Sequence, residues 1–197
     1  DIDRVLVSET LYTGYNFNHQ YSWGGTTGIY INYKMEETIL AIYSEIMYTR
    51  MGTSLNYSDI NDFNYKLQVK YNFIAFELFC KAYIYKGLNI GIGPNLAFNI
   101  TPDGLVYSSN GEDKYGPDLR IQQDMRNVLK GKPNFSIGAR IGYEFDFGIN
   151  IEASYYYGLG DIMETLVNNY HFIETKNACN SFRFTLGYAL PYNPKFH

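Results

Sequence analysis

The sequence predicts an all-β fold, an eight-stranded antiparallel up-and-down transmembrane β-barrel. Three observations carry that expectation. About eight segments of the 197-residue chain alternate apolar and polar side chains with a period of two. The connections between them alternate short and long, as in outer-membrane barrels, which have tight periplasmic turns and longer external loops. Aromatic residues reach 18%, with 21 Tyr and 13 Phe against one Trp, and tyrosine suits strands that cross a boundary between apolar and wet zones.

The first predicted strand covers residues 5–17, with Leu11, Thr13, Tyr15 and Phe17 on one face. The second covers 26–34, led by Ile29, Ile31 and Tyr33. In the third, 38–52, Leu40, Ile42, Ile46 and Tyr48 oppose Ala41, Tyr43, Glu45 and Met47. The fourth, 65–83, starts with Leu67, Val69, Tyr71 and Phe73 on its apolar side. Near Ile74 the apolar parity slips to Phe76, Leu78 and Cys80, which reads as a β-bulge. The fifth, 88–100, alternates Leu88, Ile90, Ile92, Leu96 and Phe98 with glycine and asparagine. The sixth and seventh form a hairpin around "DFG". Ile137, Ile141 and Tyr143 lie on one arm of it, and Ile149, Ile151 and Tyr157 on the other. The eighth, 180–190, sets Phe182, Phe184, Leu186, Tyr188 and Leu190 against Ser181, Arg183, Thr185, Gly187 and Ala189.

The short connections are "MEE", "YKG" and "DFG"; the long ones are 18–25, 53–64, 101–133 and 161–179. The longest contains "PDLRIQQDMRNVLKG", a helix pattern. Asp118 is its expected cap, Gly131 its stop, and Ile121, Met125, Val128 and Leu129 share a face. Such a helix either buries that face on the barrel mouth or offers it to a partner.

The chemistry of the two strand faces says which one points inward. The polar face carries Gly91, Gly93, Gly138, Gly142, Gly158 and Gly187, and glycine belongs where space is tight, as inside a small barrel. Its charges are mixed in sign. Glu45, Glu77, Lys81, Arg140, Glu144, Glu152 and Arg183 are the expected interior polar network, with Lys66 and Lys70 on the same inferred face. Tyr12, Tyr30, Tyr43, Phe79 and Tyr156 also point inward and argue against a wide pore. The apolar face is nearly free of charge. Its end tyrosines Tyr33, Tyr48, Tyr65, Tyr143, Tyr157 and Tyr188 fit an interfacial girdle. A soluble lipocalin-like carrier, the competing fold, would turn Ile151 and Leu186 toward a bound ligand.

Net charge is −4 and the sequence pI about 5.4, which speaks against a nucleic-acid partner. Mean hydropathy is −0.27 and no long apolar run exists, so no transmembrane helix is expected. The two cysteines, Cys80 and Cys179, fall at opposite ends of their strands and are expected to be unbridged. The expectation is one barrel domain over residues 1–197, with its signal peptide already removed.

Catalysis and metal binding have weak support. His171, Ser181 and Glu174 could form a lipid A deacylase-like triad, but they lack motif spacing. Asp59 with Asp62, or Glu112 with Asp113, are the only loop carboxylate pairs of interest. The expected site has no catalytic residue, cofactor or metal.

Three blocks carry a family resemblance: "YSEIMYTRMG", "FELFCKAYIYKGLNIGIGPNLAF" and "NFSIGARIGYEFDFGINIEASYYYGLGDI". In their order and spacing the chain resembles the small outer-membrane β-barrel domains of Bacteroidetes-type bacteria, the porin-family or PorT-like group. Asn134 stands where that group often has Asp, and "FELFCK" lacks its common Pro. The resemblance implies an outer-membrane location and no shared catalytic motif. Partners would be outer-membrane lipid, lipopolysaccharide and other outer-membrane proteins, with a role as accessory subunit of an assembly or secretion complex. The C-terminal run is similar to an outer-membrane assembly signal through Thr185, Gly187, Leu190 and Tyr192, although Pro191 and "NPKFH" depart from it.

Overall fold

The computed structural model describes residues 16–20, 24–58, 62–167, 170–171 and 178–190. The strands are β1 (Asn16–Gln20), β2 (Gly25–Lys34), β3 (Leu40–Ser58), β4 (Asn64–Tyr85), β5 (Leu88–Asn99) and β6 (Leu105–Ser109). After helices α1 (Glu112–Tyr115) and α2 (Asp118–Val128) come β7 (Leu129–Gly131), β8 (Asn134–Glu144), β9 (Ile149–Gly158), β10 (Met163–Val167), β11 (Tyr170–His171) and β12 (Ser181–Tyr188).

Seven strands form an antiparallel meander in the order β2-β3-β4-β5-β8-β9-β12. They correspond to predicted strands two to eight. The sheet curls until its ends face each other: a Cβ placed on Gly187 of β12 would sit 3.2 Å from the ring of Tyr30 on β2. This is the predicted eight-stranded barrel class, and most of the first predicted strand, with Tyr12, lies outside the described residues. The tight turns hold. Lys86 and Gly87 both have positive φ (35° and 91°), the two-residue hairpin geometry that matches strand twist.

Strand faces follow the expected orientation. Leu186 is 75% exposed and Ile151 51%, so neither points at an interior ligand and the lipocalin-like alternative fails. The outward belt (Ile29, Ile46, Leu78, Ile92, Ile137, Phe184 among others) is exposed and continuous around the sheet, far more apolar surface than a water-facing sheet tolerates. The interior glycines make room: a Cβ on Gly138 would meet Phe79 at 2.6 Å and Tyr156 at 2.7 Å.

Several expectations need correction. The bulge near Ile74 does not exist. β3 and β4 pair in one unbroken register from Leu40↔Ala82 to Ser58↔Asn64, and the odd positions of β4 point inward from Leu67 to Lys81. What changes at Ile74 is the solvent. Below it the outward side chains are Phe76, Leu78 and Ile84, with charges inside. Above it the outward ones are Asn72, Lys70, Gln68 and Lys66, with an apolar core inside. The pleat continues while the surroundings pass from lipid to water. Lys66 and Lys70 therefore lie on the outer surface, not in the interior network. For the same reason Tyr65 is no girdle residue: it packs on Tyr107, ring centroids 5.6 Å apart.

The long connections are also shorter than expected. β1 continues the line of β2 along β3, with Asn16↔Ser58 and Gln20↔Ser54. Asn16 and Phe17 thus belong to this extension and not to the end of the first strand. β6 likewise continues β5 along β4, with Val69↔Leu105 and Tyr65↔Ser109. β3 has 19 residues and β4 has 22, about twice the 9–11 that a tilted strand needs to cross a bilayer. β8, β9 and β12, with 11, 10 and 8 residues, stop near the bilayer surface. One side of the barrel therefore rises as a wall.

Helix α2 forms where expected, but Asp118 does not cap it: Pro117 holds that position without a side-chain bond. Leu129 leaves the helix for β7. Cys80 and Cys179 are both free. Cys80 faces outward, and burial above the outer end of β12 pushes the Cys179 thiol up.

Candidate functional site: the charged barrel interior and the covered wall

Two places gather polar chemistry. The first is the barrel interior. β3 contributes Glu45, β4 Glu77 and Lys81, β8 Arg140, β9 Glu152 and β12 Arg183, all on inward pleats. Arg140 is the hub. It donates to Glu77 at 2.7 Å and to Glu152 at 2.9 Å, with Glu45 at 4.0 Å. Arg183 donates to Glu77 at 2.7 Å and lies 3.8 Å from Glu45. Lys81 bonds Glu152. Three cations and three carboxylates balance, which is what makes burial of all six tolerable.

Aromatic rings complete the packing. The Arg140 guanidinium lies 3.9 Å from the Phe79 ring centroid and 4.3 Å from that of Tyr43. The Tyr43 hydroxyl donates to Glu45 at 2.9 Å and the Tyr156 hydroxyl to Glu77 at 3.1 Å. The side chains of Arg140 and Glu77 are 0% exposed. The interior is filled at this level, as expected for eight strands.

Of the seven network residues expected from sequence, six meet here. Glu144 does not. Lying four residues beyond Arg140 on β8, it forms a separate group at the short-turn end. There it accepts from Tyr83 at 2.6 Å and from Lys34 at 3.0 Å. Sequence reading missed Lys34, Tyr83 and Asn150, the last a 3.1 Å donor to Glu152. Lys34 was hidden because it ends its strand beside a turn, where a lysine normally reads as solvated.

The second place is the inner side of the wall. Leu67, Leu105, Tyr107 and Leu129 form a buried cluster with Tyr65, Ile121 and Met125, and Val69, Tyr71 and Phe73 form a second one with Met47, Ala75 and Ala97 nearer the short-turn end. Of the predicted helix face, Ile121 and Met125 are half-buried on the structure beneath it and Leu129 is buried beyond the helix, while the Val128 side chain lies outside those described. β7 pairs with β10, and Gly131 lies against the ring of Tyr71.

The polar face of α2 closes an open strand edge. Ser109 N donates to Asp118 at 2.6 Å and Tyr107 N to Gln122 at 3.0 Å, while Leu105 O accepts from Arg126 at 2.9 Å. Four residues of helix advance about 6.0 Å and two residues of strand about 6.6 Å. Side chains at 118, 122 and 126 therefore match backbone groups at 109, 107 and 105. This is why Asp118 turns away from capping: the bare edge of β6 offers it an N–H and a hydroxyl. An uncovered edge is an aggregation hazard.

Other expected sites remain unformed or undescribed. Glu112 is occupied as acceptor of Asp118 N at 3.1 Å. No cluster of three metal-ligating groups occurs among the described residues. Asp59, Glu174 and Tyr192 lie outside the described residues. Ser181 pairs with Tyr156 in the barrel sheet, whereas His171 belongs to the small β7-β10-β11 sheet. Thr185, Gly187 and Leu190 follow the alternation of the last strand, Thr185 and Gly187 inward and Leu190 exposed.

No curated protein and no solved structure matches the chain. Residues 7–164 match the family model described as outer membrane protein beta-barrel domain. Among the described residues that match takes in every spanning strand except β12. Together with a lipid-facing belt around a charged, packed interior, it means that the chain belongs to the outer-membrane β-barrel domain family and is an integral outer-membrane barrel.

Proposed function

We propose that this barrel is a non-conducting, non-enzymatic platform that holds its external wall at the membrane surface for other outer-membrane proteins. It would serve as an accessory subunit of a larger outer-membrane assembly or secretion complex of the PorT-like kind. The observation that carries the reading is the division of the molecule. The spanning part is plugged by the Glu45/Glu77/Glu152 and Lys81/Arg140/Arg183 layer. The elaborated part is the wall with its sealed edge. A plugged barrel offers no route for solute, so the added structure lies where another protein can reach it.

The test combines two measurements. Purified protein in planar bilayers is expected to give no conductance steps. A photo-crosslinker in place of Leu119, which is 78% exposed on α2, is expected to join a defined outer-membrane protein in cells. The same probe in place of Ile151 on the lipid face should not. Stepwise conductance, or identical products from both positions, overturns the proposal.

A further inference from the structure

Most charges on the strands are paired inside the barrel, yet three cations stand on the outside of the wall. Arg50 on β3 and Lys66 and Lys70 on β4 share the outward face. None makes an ion pair among the described residues. Their cross-strand partners are Asn72, Asn56 and Gly52, so no carboxylate neutralises them across the ladder. On that face of β3 and β4 there is no Asp or Glu at all. The whole chain has a net charge of −4, so this local surplus runs against its composition.

Their height is informative. Arg50 and Asn72 form the first polar row above the last lipid-facing row, Tyr48 and Ile74. Lys70 is two residues above Asn72, about 6.6 Å along the strand. Arg50 and Lys70 are diagonal neighbours, about 7–8 Å apart at the backbone. Gly52 opposite Lys70 leaves the space beside that lysine open. Lys66 continues the column outward. Below lie the apolar Ile46 and Phe76. A ligand that fits has an acyl part for that floor and phosphates at the height of the first polar rows. On the other side of the barrel, β8, β9 and β12 present no outward cation.

We infer that Arg50, Lys70 and Lys66 form a binding site for the phosphorylated glucosamine headgroup of lipid A in the outer leaflet. The inference rests on the integral-barrel reading and adds a lipid to it. Lipid A would be held at the wall, where the barrel protrudes, and the remaining perimeter would meet lipid through its apolar belt alone.

The test titrates the full chain in one detergent with bisphosphorylated lipid A, with dephosphorylated lipid A and with inorganic pyrophosphate, reading occupancy by native mass spectrometry. The comparison protein carries Arg50→Gln, Lys66→Gln and Lys70→Gln, all at exposed sites and so neutral for folding. Bisphosphorylated lipid A is expected to bind the wild type roughly a hundredfold more tightly than the triple variant, about fivefold per cation. Dephosphorylated lipid A should bind both equally weakly. Equal affinities of the two proteins for bisphosphorylated lipid A overturn the inference, and so does indifference of the wild type to the phosphates. Pyrophosphate binding as tight as lipid A binding would identify a free-phosphate site and overturn the lipid assignment. Failure of both proteins to float with vesicles would instead defeat the barrel reading itself.

Discussion

Arg140→Leu is expected to destabilise the folded barrel by about 3–5 kcal/mol, the usual cost of stranding a buried partner charge. Among the described residues, Arg140 is the one cation that joins Glu77 to Glu152. Without it, Glu45, Glu77 and Glu152 face only Lys81 and Arg183 among the described residues, in a buried layer. The unheated gel shift of the protein against urea reads the effect, because folded and unfolded barrels migrate differently. Arg140→Lys should lose less, since it keeps the charge while giving up the two-pronged contact. Pairing Arg140→Leu with Glu152→Gln should recover part of the loss by removing one orphaned charge. A wild-type urea midpoint for Arg140→Leu would show that the network does not balance the interior.

Ile92→Arg is expected to cost about 2–4 kcal/mol, the penalty for arginine on the lipid face near mid-bilayer. Ile92 is 62% exposed and pairs with Cys80 and Ala139 in the middle of the belt. Val106→Arg changes an outward residue of the same polarity on β6, beside Gln68. It should move stability by no more than about 0.5 kcal/mol, because that part of the wall stands in water. Refolding into lipid vesicles over a urea series measures both. Equal penalties would remove the boundary drawn between them.

The sequence carried the barrel itself in full view. Period-two alternation, the tight turns and the mixed charges on the glycine-rich face were enough to place Glu45, Glu77, Lys81, Arg140, Glu152 and Arg183 inside together. The height of the wall was not legible, for a physical reason. Hydrophobicity reports the environment of a face, not its direction. Where β4 leaves lipid for water, its apolar residues change from the outer face to the inner one without any change in the pleat. The letters "VKYNFIAFEL" then look like a one-residue slip. Lys66, Lys70 and Tyr65 were misplaced by that one effect. The extensions β1 and the upper part of β3 were hidden differently. Ser54, Asn56 and Ser58 are turn-forming residues by type, and they join a strand because the paired backbone of β4 is already there. Asp118 follows the same logic: its local preference for a helix start yields to the unpaired edge of β6, a neighbour that helix periodicity alone cannot reveal.

The central claim is that the outer bilayer boundary crosses β4 between Ile74 and Asn72. Spin labels placed one at a time at Leu78, Phe76, Ile74, Asn72, Lys70 and Gln68, in protein reconstituted into vesicles, measure it most directly. Their relative accessibility to oxygen and to a water-soluble nickel complex reports depth. The first three are predicted to favour oxygen and the last three nickel, with the crossover between positions 74 and 72. Oxygen preference continuing to Gln68, or nickel preference at Leu78, would contradict the account.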